Sequence, residues 1–132
     1  MRKYLLDTHV ALWMALDSSK LTEKVKQIIL SDDIKCISIV SVWEVAIKLD
    51  KNTPEKTFLE LEGGLPGFYR VLKYNNLLVF PMRNAHLMQI STLPKHHKDP
   101  FDRLLISTAI AEKMTLITAD ENIQKYDVPW VW

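Results

Sequence analysis

Apolar residues along this chain fall into short continuous runs separated by longer amphipathic stretches, and that contrast separates buried strands from helices. Tyr4-Leu5-Leu6 is such a run, and it ends on Asp7. Residues 11–16 are too many and too poor in β-branching for a strand, so they predict a helix. Leu21, Val25, Ile28 and Ile29 recur at helical spacing behind Ser19 and Thr22, either of which can cap. Residues 36–39 read as a buried strand, after which Ser41 can cap a helix carrying Trp43, Glu44, Ile47 and Lys48. Pro54, Gly63, Gly64, Pro66 and Gly67 break the middle of the chain, flanked by helical patterns at 58–61 and 68–72. Residues 77–80 predict a third strand closed by Pro81, and 85–90 a further helix. Pro100 opens a long helix through Glu112, 115–118 is a fourth strand, and Trp130-Val131-Trp132 is a short edge strand. Strands that alternate with helices and are apolar throughout predict a parallel α/β sheet covered on both faces.

Composition narrows the class without changing the fold. At 132 residues with 48% hydrophobic and 25% charged side chains, one globular domain over 1–132 is expected. Cys36 is the single cysteine, which excludes an intrachain disulfide and a zinc knuckle and suits a reducing compartment such as the cytoplasm. No apolar window approaches the ~18 residues of a membrane span, so a signal peptide and an anchor are not expected. A net charge of +1 is too balanced to mark a nucleic-acid binder by bulk electrostatics, although four acids gathered at one site would leave a mildly basic remainder. Gly63, Gly64 and Gly67 are the only glycines, which rules out GxGxxG and GxxxxGK[ST] nucleotide loops.

The chemistry is carried by carboxylates placed where apolar residues belong. Ligand sites of open parallel sheets lie outside the carboxyl ends of the strands. Asp7 ends the first strand and Asp120 follows Leu116-Ile117-Thr118-Ala119, so neighbouring strands would bring both to one rim. Glu44 lies inside Val40-Ser41-Val42-Trp43-Glu44-Val45-Ala46-Ile47, and Asp102 shares a helical stripe with Leu105, Ile106 and Ala109. An isolated buried carboxylate costs several kcal/mol, so four in apolar contexts need a shared counter-charge. A divalent cation supplies it, and a mostly acidic oxygen set favours Mg²⁺ or Mn²⁺ over zinc.

Each acid also has a plainer role. Asp99 before Pro100 is an N-cap with proline at N1, and Asp102 falls at the capping-box position. Asp120 can cap a turn at Glu121-Asn122-Ile123, Asp7 can cap the first helix, and Glu44 can lie on an outward helix face. His96-His97-Lys98 suits a phosphate-facing basic loop better than a metal pair, since adjacent histidines rarely face one ion. His9 and His86 have no spacing that selects a function. Trp13, Trp43, Trp130 and Trp132 read as core or interface, while Arg103, Lys48 and Lys51 can meet phosphates or simply line solvated helix faces.

Leu5-Leu6-Asp7-Thr8, Ser41-Val42-Trp43-Glu44, the segment His97-Lys98-Asp99-Pro100-Phe101-Asp102-Arg103-Leu104-Leu105-Ile106, and Leu116-Ile117-Thr118-Ala119-Asp120 together resemble the PIN domain. The likeness is to its short stand-alone form, the toxin of VapBC-type toxin–antitoxin pairs, and spans nearly the whole chain. It implies a three-layer α/β/α fold with strand order 3-2-1-4-5, a Mg²⁺ or Mn²⁺ site and endoribonuclease activity on RNA. It also implies frequent homodimerisation and an antitoxin covering the groove. Carried onto this sequence, the family's acidic quartet falls on Asp7, Glu44, Asp102 and Asp120, with Thr118 beside the last. Asp7 and Asp102 are then expected as the direct metal ligands, with Glu44 and Asp120 binding through water or orienting the attack, and Thr118, Asp99 and Arg103 are candidates for supporting residues. His9 stands where many members have a small or amide residue, and Asp99 is an additional acid. The contrasting class is a non-catalytic PIN-like module assembled with a protein partner. A phosphoacceptor domain would need a second acid beside Asp7 and a lysine after the last strand, and has neither.

Overall fold

β1 (Lys3–Leu6) lies at the centre of a parallel sheet, with β2 (Ile34–Ser38) on one side and β4 (Thr115–Ile117) on the other. The computed structural model describes residues 1–50 and 52–132. β3 (Leu78–Phe80) and β5 (Trp130–Val131) form the edges, giving the order β3-β2-β1-β4-β5. Successive β1 side chains point to opposite faces: Tyr4 and Leu6 enter one apolar cluster and Leu5 the other. The first cluster packs under α1 (Thr8–Ala15), α2 (Glu23–Leu30), α3 (Ile39–Lys48), a 3₁₀ turn (Lys56–Glu60) and α4 (Gly64–Tyr74). The second lies under α6 (Pro100–Glu112) and α7 (Glu121–Gln124), with α5 (Asn84–Ile90) packed on α6. The three-layer α/β/α fold is therefore as expected.

Local differences have local causes. Residues 39–40 belong to α3, so the helix follows β2 with no loop, and its cap is Ser38, whose Oγ accepts from the Val40 amide at 3.1 Å. Ser41 is instead buried, and its Oγ accepts a 2.9 Å hydrogen bond from the Thr8 hydroxyl that ties α1 to α3. α1 begins at Thr8 rather than at 11, because Asp7 caps it. Sheet coverage is incomplete: Leu78 and Val79 of edge strand β3 are exposed. Ile47 is exposed as well, although it shares a helical stripe with Glu44. The buried His86 is structural, its Nδ1 accepting from the Arg83 amide and its Nε2 lying 2.8 Å from Glu112 Oε2.

At the start of α4, Gly67 is buried against the Glu62 carbonyl, and a Cβ there would overlap that oxygen and its carbon. The Gly67→Ala variant should therefore lose about 1–3 kcal/mol of stability despite alanine's better helix propensity. A thermal melt checks this, and an unchanged midpoint would show that the turn yields.

Candidate active site

Because β1 and β4 are adjacent and parallel, their C-terminal ends open on one rim, with Leu6 registered against Ile117. Asp7 leaves β1 there, buried at 4% exposure, and is held by its neighbours. The Thr118 hydroxyl donates to Asp7 Oδ2 at 2.9 Å and accepts from the Asp120 amide at 3.0 Å, so one side chain joins the two strand-end acids. The His9 amide points at Asp7 Oδ1 at 3.4 Å. Asp120 also caps α7 by accepting from the Asn122 amide at 2.8 Å. Its capping role and its place at the rim coexist.

The N-terminus of α6 brings the third acid. Asp99 Oδ1 accepts from the amides of Phe101 and Asp102 at 2.8 and 3.2 Å, with Pro100 at the first helical position. That cap orients Asp102, whose Oδ2 lies 2.7 Å from His97 Nε2. One ligand atom from each of His97, Asp102 and Asp120 lies within 4.8 Å of the others, a group able to hold a metal ion. Arg103 is tied to its own chain: Nη1 donates to the Pro94 carbonyl at 2.9 Å and the Tyr126 hydroxyl at 3.3 Å. Its role is to shape the loop before α6.

Glu44 is held by a different partner, Lys48. It is 3% exposed, so its face of α3 does not turn outward. Its Oε2 accepts from Lys48 Nζ at 2.8 Å, while Lys48 also reaches Glu55 Oε1 at 2.6 Å and Glu55 Oε2 lies 2.9 Å from His9 Nε2. Among the described residues, Glu44 Oε1 is the buried side-chain atom left without a hydrogen-bond partner. Sequence reasoning missed Glu55, which lies in a polar segment with no periodicity, and it assigned Lys48 to solvent or phosphate. It also placed His97 on a loop facing phosphate. The one local signal was its distance of five residues from Asp102 across an N-cap turn, which folds the loop back on the helix start. Lys51 lies outside the described residues.

The electrostatics follow from this crowding. Asp7 is pushed above the ordinary carboxylate range chiefly by burial, with Asp120 adding repulsion and Thr118 and His9 opposing. Asp102 is pushed up to about 7, first by burial and then by the charges of Asp7 and Asp99, against the pull of His97. At Glu55 burial works upward but is outweighed by Lys48 and His9, so its carboxyl is held low. Burial disfavours the charged form of Lys48, yet its two carboxylate partners hold that ammonium up. The rim thus holds carboxylates of which Asp7 and Asp102 have their charge destabilised by burial and repulsion, and on α3 one buried Glu44 oxygen is orphaned. Oxygen donors with one imidazole nitrogen fit a divalent cation.

Asp99→Asn should leave stability within a few tenths of a kcal/mol, because asparagine caps as well, whereas Asp99→Ala should lose about 1 kcal/mol. Denaturant melts of both variants measure this, and equal losses would show that the charge rather than the cap matters.

The family model described as PIN domain matches residues 4–129. Solved structures of similar shape include VapBC2 from Rickettsia felis bound to a DNA fragment from their promoter, at 15% identity and TM-score 0.73, covering 98% of this chain and 97% of that one. DNA-bound VapBC from Salmonella typhimurium matches at 15% identity and TM-score 0.68, covering 99% and 98%. VapBC-1 from nontypeable Haemophilus influenzae matches at 18% identity and TM-score 0.64, covering 98% and 96%. No curated protein matches the chain. With the family model spanning nearly the whole sequence and the strand order and rim described above, the chain belongs to the PIN-domain family.

Proposed function

We propose that this chain is a metal-dependent endoribonuclease that hydrolyses RNA phosphodiester bonds and serves as the toxin of a toxin–antitoxin pair. The observation that carries the reading is that ligand atoms of His97, Asp102 and Asp120 lie within 4.8 Å of one another beside Asp7, while burial and neighbouring carboxylates push Asp7 and Asp102 above the ordinary range. Asp7 and Asp102 would hold Mg²⁺ or Mn²⁺ directly, and Asp120 and Glu44 would act through water. The chemistry a bound divalent cation supplies is activation of water and neutralisation of charge growing on the phosphate.

The chain's own residues do the rest. Thr118 fixes one Asp7 oxygen and the His9 amide faces the other, so the carboxylate is oriented before substrate arrives. Asp99 sets the start of α6 and with it the direction of Asp102. The exposed Lys95 and Lys98 offer positive charge to the RNA backbone beside an acidic hole that alone repels it. Lys48 already balances Glu44, which suits Glu44 to a supporting part. No protein nucleophile is needed.

The partner that silences the site would present a guanidinium or another basic group to these carboxylates. An exposed row on α3, Ile39, Trp43 and Ile47, suits a homodimer face. The three similar structures named above are VapBC complexes, in line with a toxin that has a cognate antitoxin. Expression of the chain alone in bacteria tests the reading: growth should arrest with fragmentation of cellular RNA, and co-expression of a cognate antitoxin should restore growth. Soluble protein that is harmless with its acids intact would instead support a PIN-like binding module.

A further inference from the structure

The side chain least expected at the rim is His97. Its nitrogen lies 2.7 Å from Asp102 Oδ2 and its ligand atom within 4.8 Å of those of Asp102 and Asp120. The loop carrying it is fastened on both sides. Arg103 donates to the Pro94 carbonyl at 2.9 Å, and the His97 amide donates to the Tyr126 hydroxyl at 2.9 Å. That hydroxyl also accepts from Arg103 at 3.3 Å, and the His96 ring packs edge-on against Tyr126 with centroids 5.0 Å apart. Two independent anchors therefore hold residues 94–97 over the start of α6. A solvated basic loop that merely attracts phosphate needs no such fixation, and Lys95, His96 and Lys98 around it are exposed while His97 is only partly so.

The separation of the two donor atoms carries a chemical meaning. Adjacent ligands on a small divalent ion, with bonds of roughly 2.1 Å, stand about 3 Å apart. A nitrogen and an oxygen at hydrogen-bonding distance are thus already spaced as neighbouring ligands of an ion lying to one side of the pair. We propose that His97 is a direct metal ligand, so that the centre is a mixed site of imidazole nitrogen and carboxylate oxygen that prefers Mn²⁺ over Mg²⁺. This rests on the metal-dependent reading above and deepens it. Imidazole suits transition ions, whereas Mg²⁺ prefers oxygen donors and keeps its waters, so a nitrogen in the set weights the competition toward Mn²⁺.

Electron paramagnetic resonance of the full chain with Mn²⁺ tests the assignment without reference to turnover. Loss of the free-ion signal reports binding, and pulsed measurements report nitrogen bound to Mn²⁺. Wild type should show nitrogen modulation that is absent in His97→Gln and retained in His9→Gln, with circular dichroism unchanged in both. His97→Gln should weaken Mn²⁺ binding by about tenfold or more, and Mg²⁺ binding, measured by competition, by about threefold or less. Wild type that binds Mn²⁺ without nitrogen modulation, or modulation that survives in His97→Gln, overturns His97 as a ligand while leaving a carboxylate site intact. Failure of wild type to bind Mn²⁺ at all removes the metal-dependent reading and this inference together.

Discussion

Replacing Asp102 with Asn should reduce RNA cleavage by about a thousandfold or more while leaving the circular dichroism spectrum unchanged, because on the proposed function several kcal/mol of transition-state stabilisation would depend on a cation held by Asp102. The folded architecture gives no reason for collapse. Asp102 sits at the first turn of α6, its neighbours Leu105, Ile106 and Ala109 are buried independently of its charge, and Asp99 supplies the cap. The same change should make the metal-free protein more stable, since it removes a carboxyl that burial and the charges of Asp7 and Asp99 push up to about 7. A variant inactive and destabilised in EDTA would point to a structural part for Asp102. Kinetics with labelled RNA, together with a melt in EDTA, separate the two.

Acidification should stabilise the metal-free chain. Asp102 titrates at about 7 when folded, against 3.8 for an ordinary aspartate, so between those values the folded chain holds a proton that the unfolded chain has released. The stability this contributes is complete below the lower value and is lost as pH rises through the upper one. Asp7 is shifted in the same direction. From pH 8 to pH 5.5 in EDTA the gain should be on the order of 2–3 kcal/mol, at about 1.4 kcal/mol per unit of pKa. Mn²⁺ should flatten the trend because it would compete with protons for the same oxygens. At a hundredfold excess over its dissociation constant it should add about 2.7 kcal/mol at pH 8 and markedly less at pH 5.5. Melts at both pH values, with EDTA and with Mn²⁺, check this. Stability that rises with pH in EDTA would mean that the rim carboxylates are compensated within the protein.

The residues legible in the sequence were those whose polarity contradicts their neighbourhood. Asp7 ends an apolar strand, Glu44 interrupts an apolar helix and Asp102 shares a buried stripe, so local pattern alone singled them out. Parallel strands then required a rim that joins Asp7 to Asp120. Less legible were features set by distant partners. Whether Ser38 or Ser41 caps α3 turns on where the strand stops, and Ile39 and Val40 suit strand and helix equally. The apolar run ending in Phe80 does not announce that β3 is an uncovered edge. Glu55 reaches Lys48 and His9 only through the tertiary fold, across separations of 7 and 46 residues. His97 reads as a basic loop until the cap at Asp99 turns the chain and Tyr126 fixes it in place.

Cleavage of an end-labelled RNA by the purified chain, followed in Mn²⁺ and then in excess EDTA, tests the central claim most directly. Internal fragments should accumulate with the cation, stop on chelation and resume when Mn²⁺ is restored, and Asp7→Asn should yield none. Cleavage that continues undiminished in EDTA, or equally in Asp7→Asn, would contradict a metal centre built on the ends of β1 and β4.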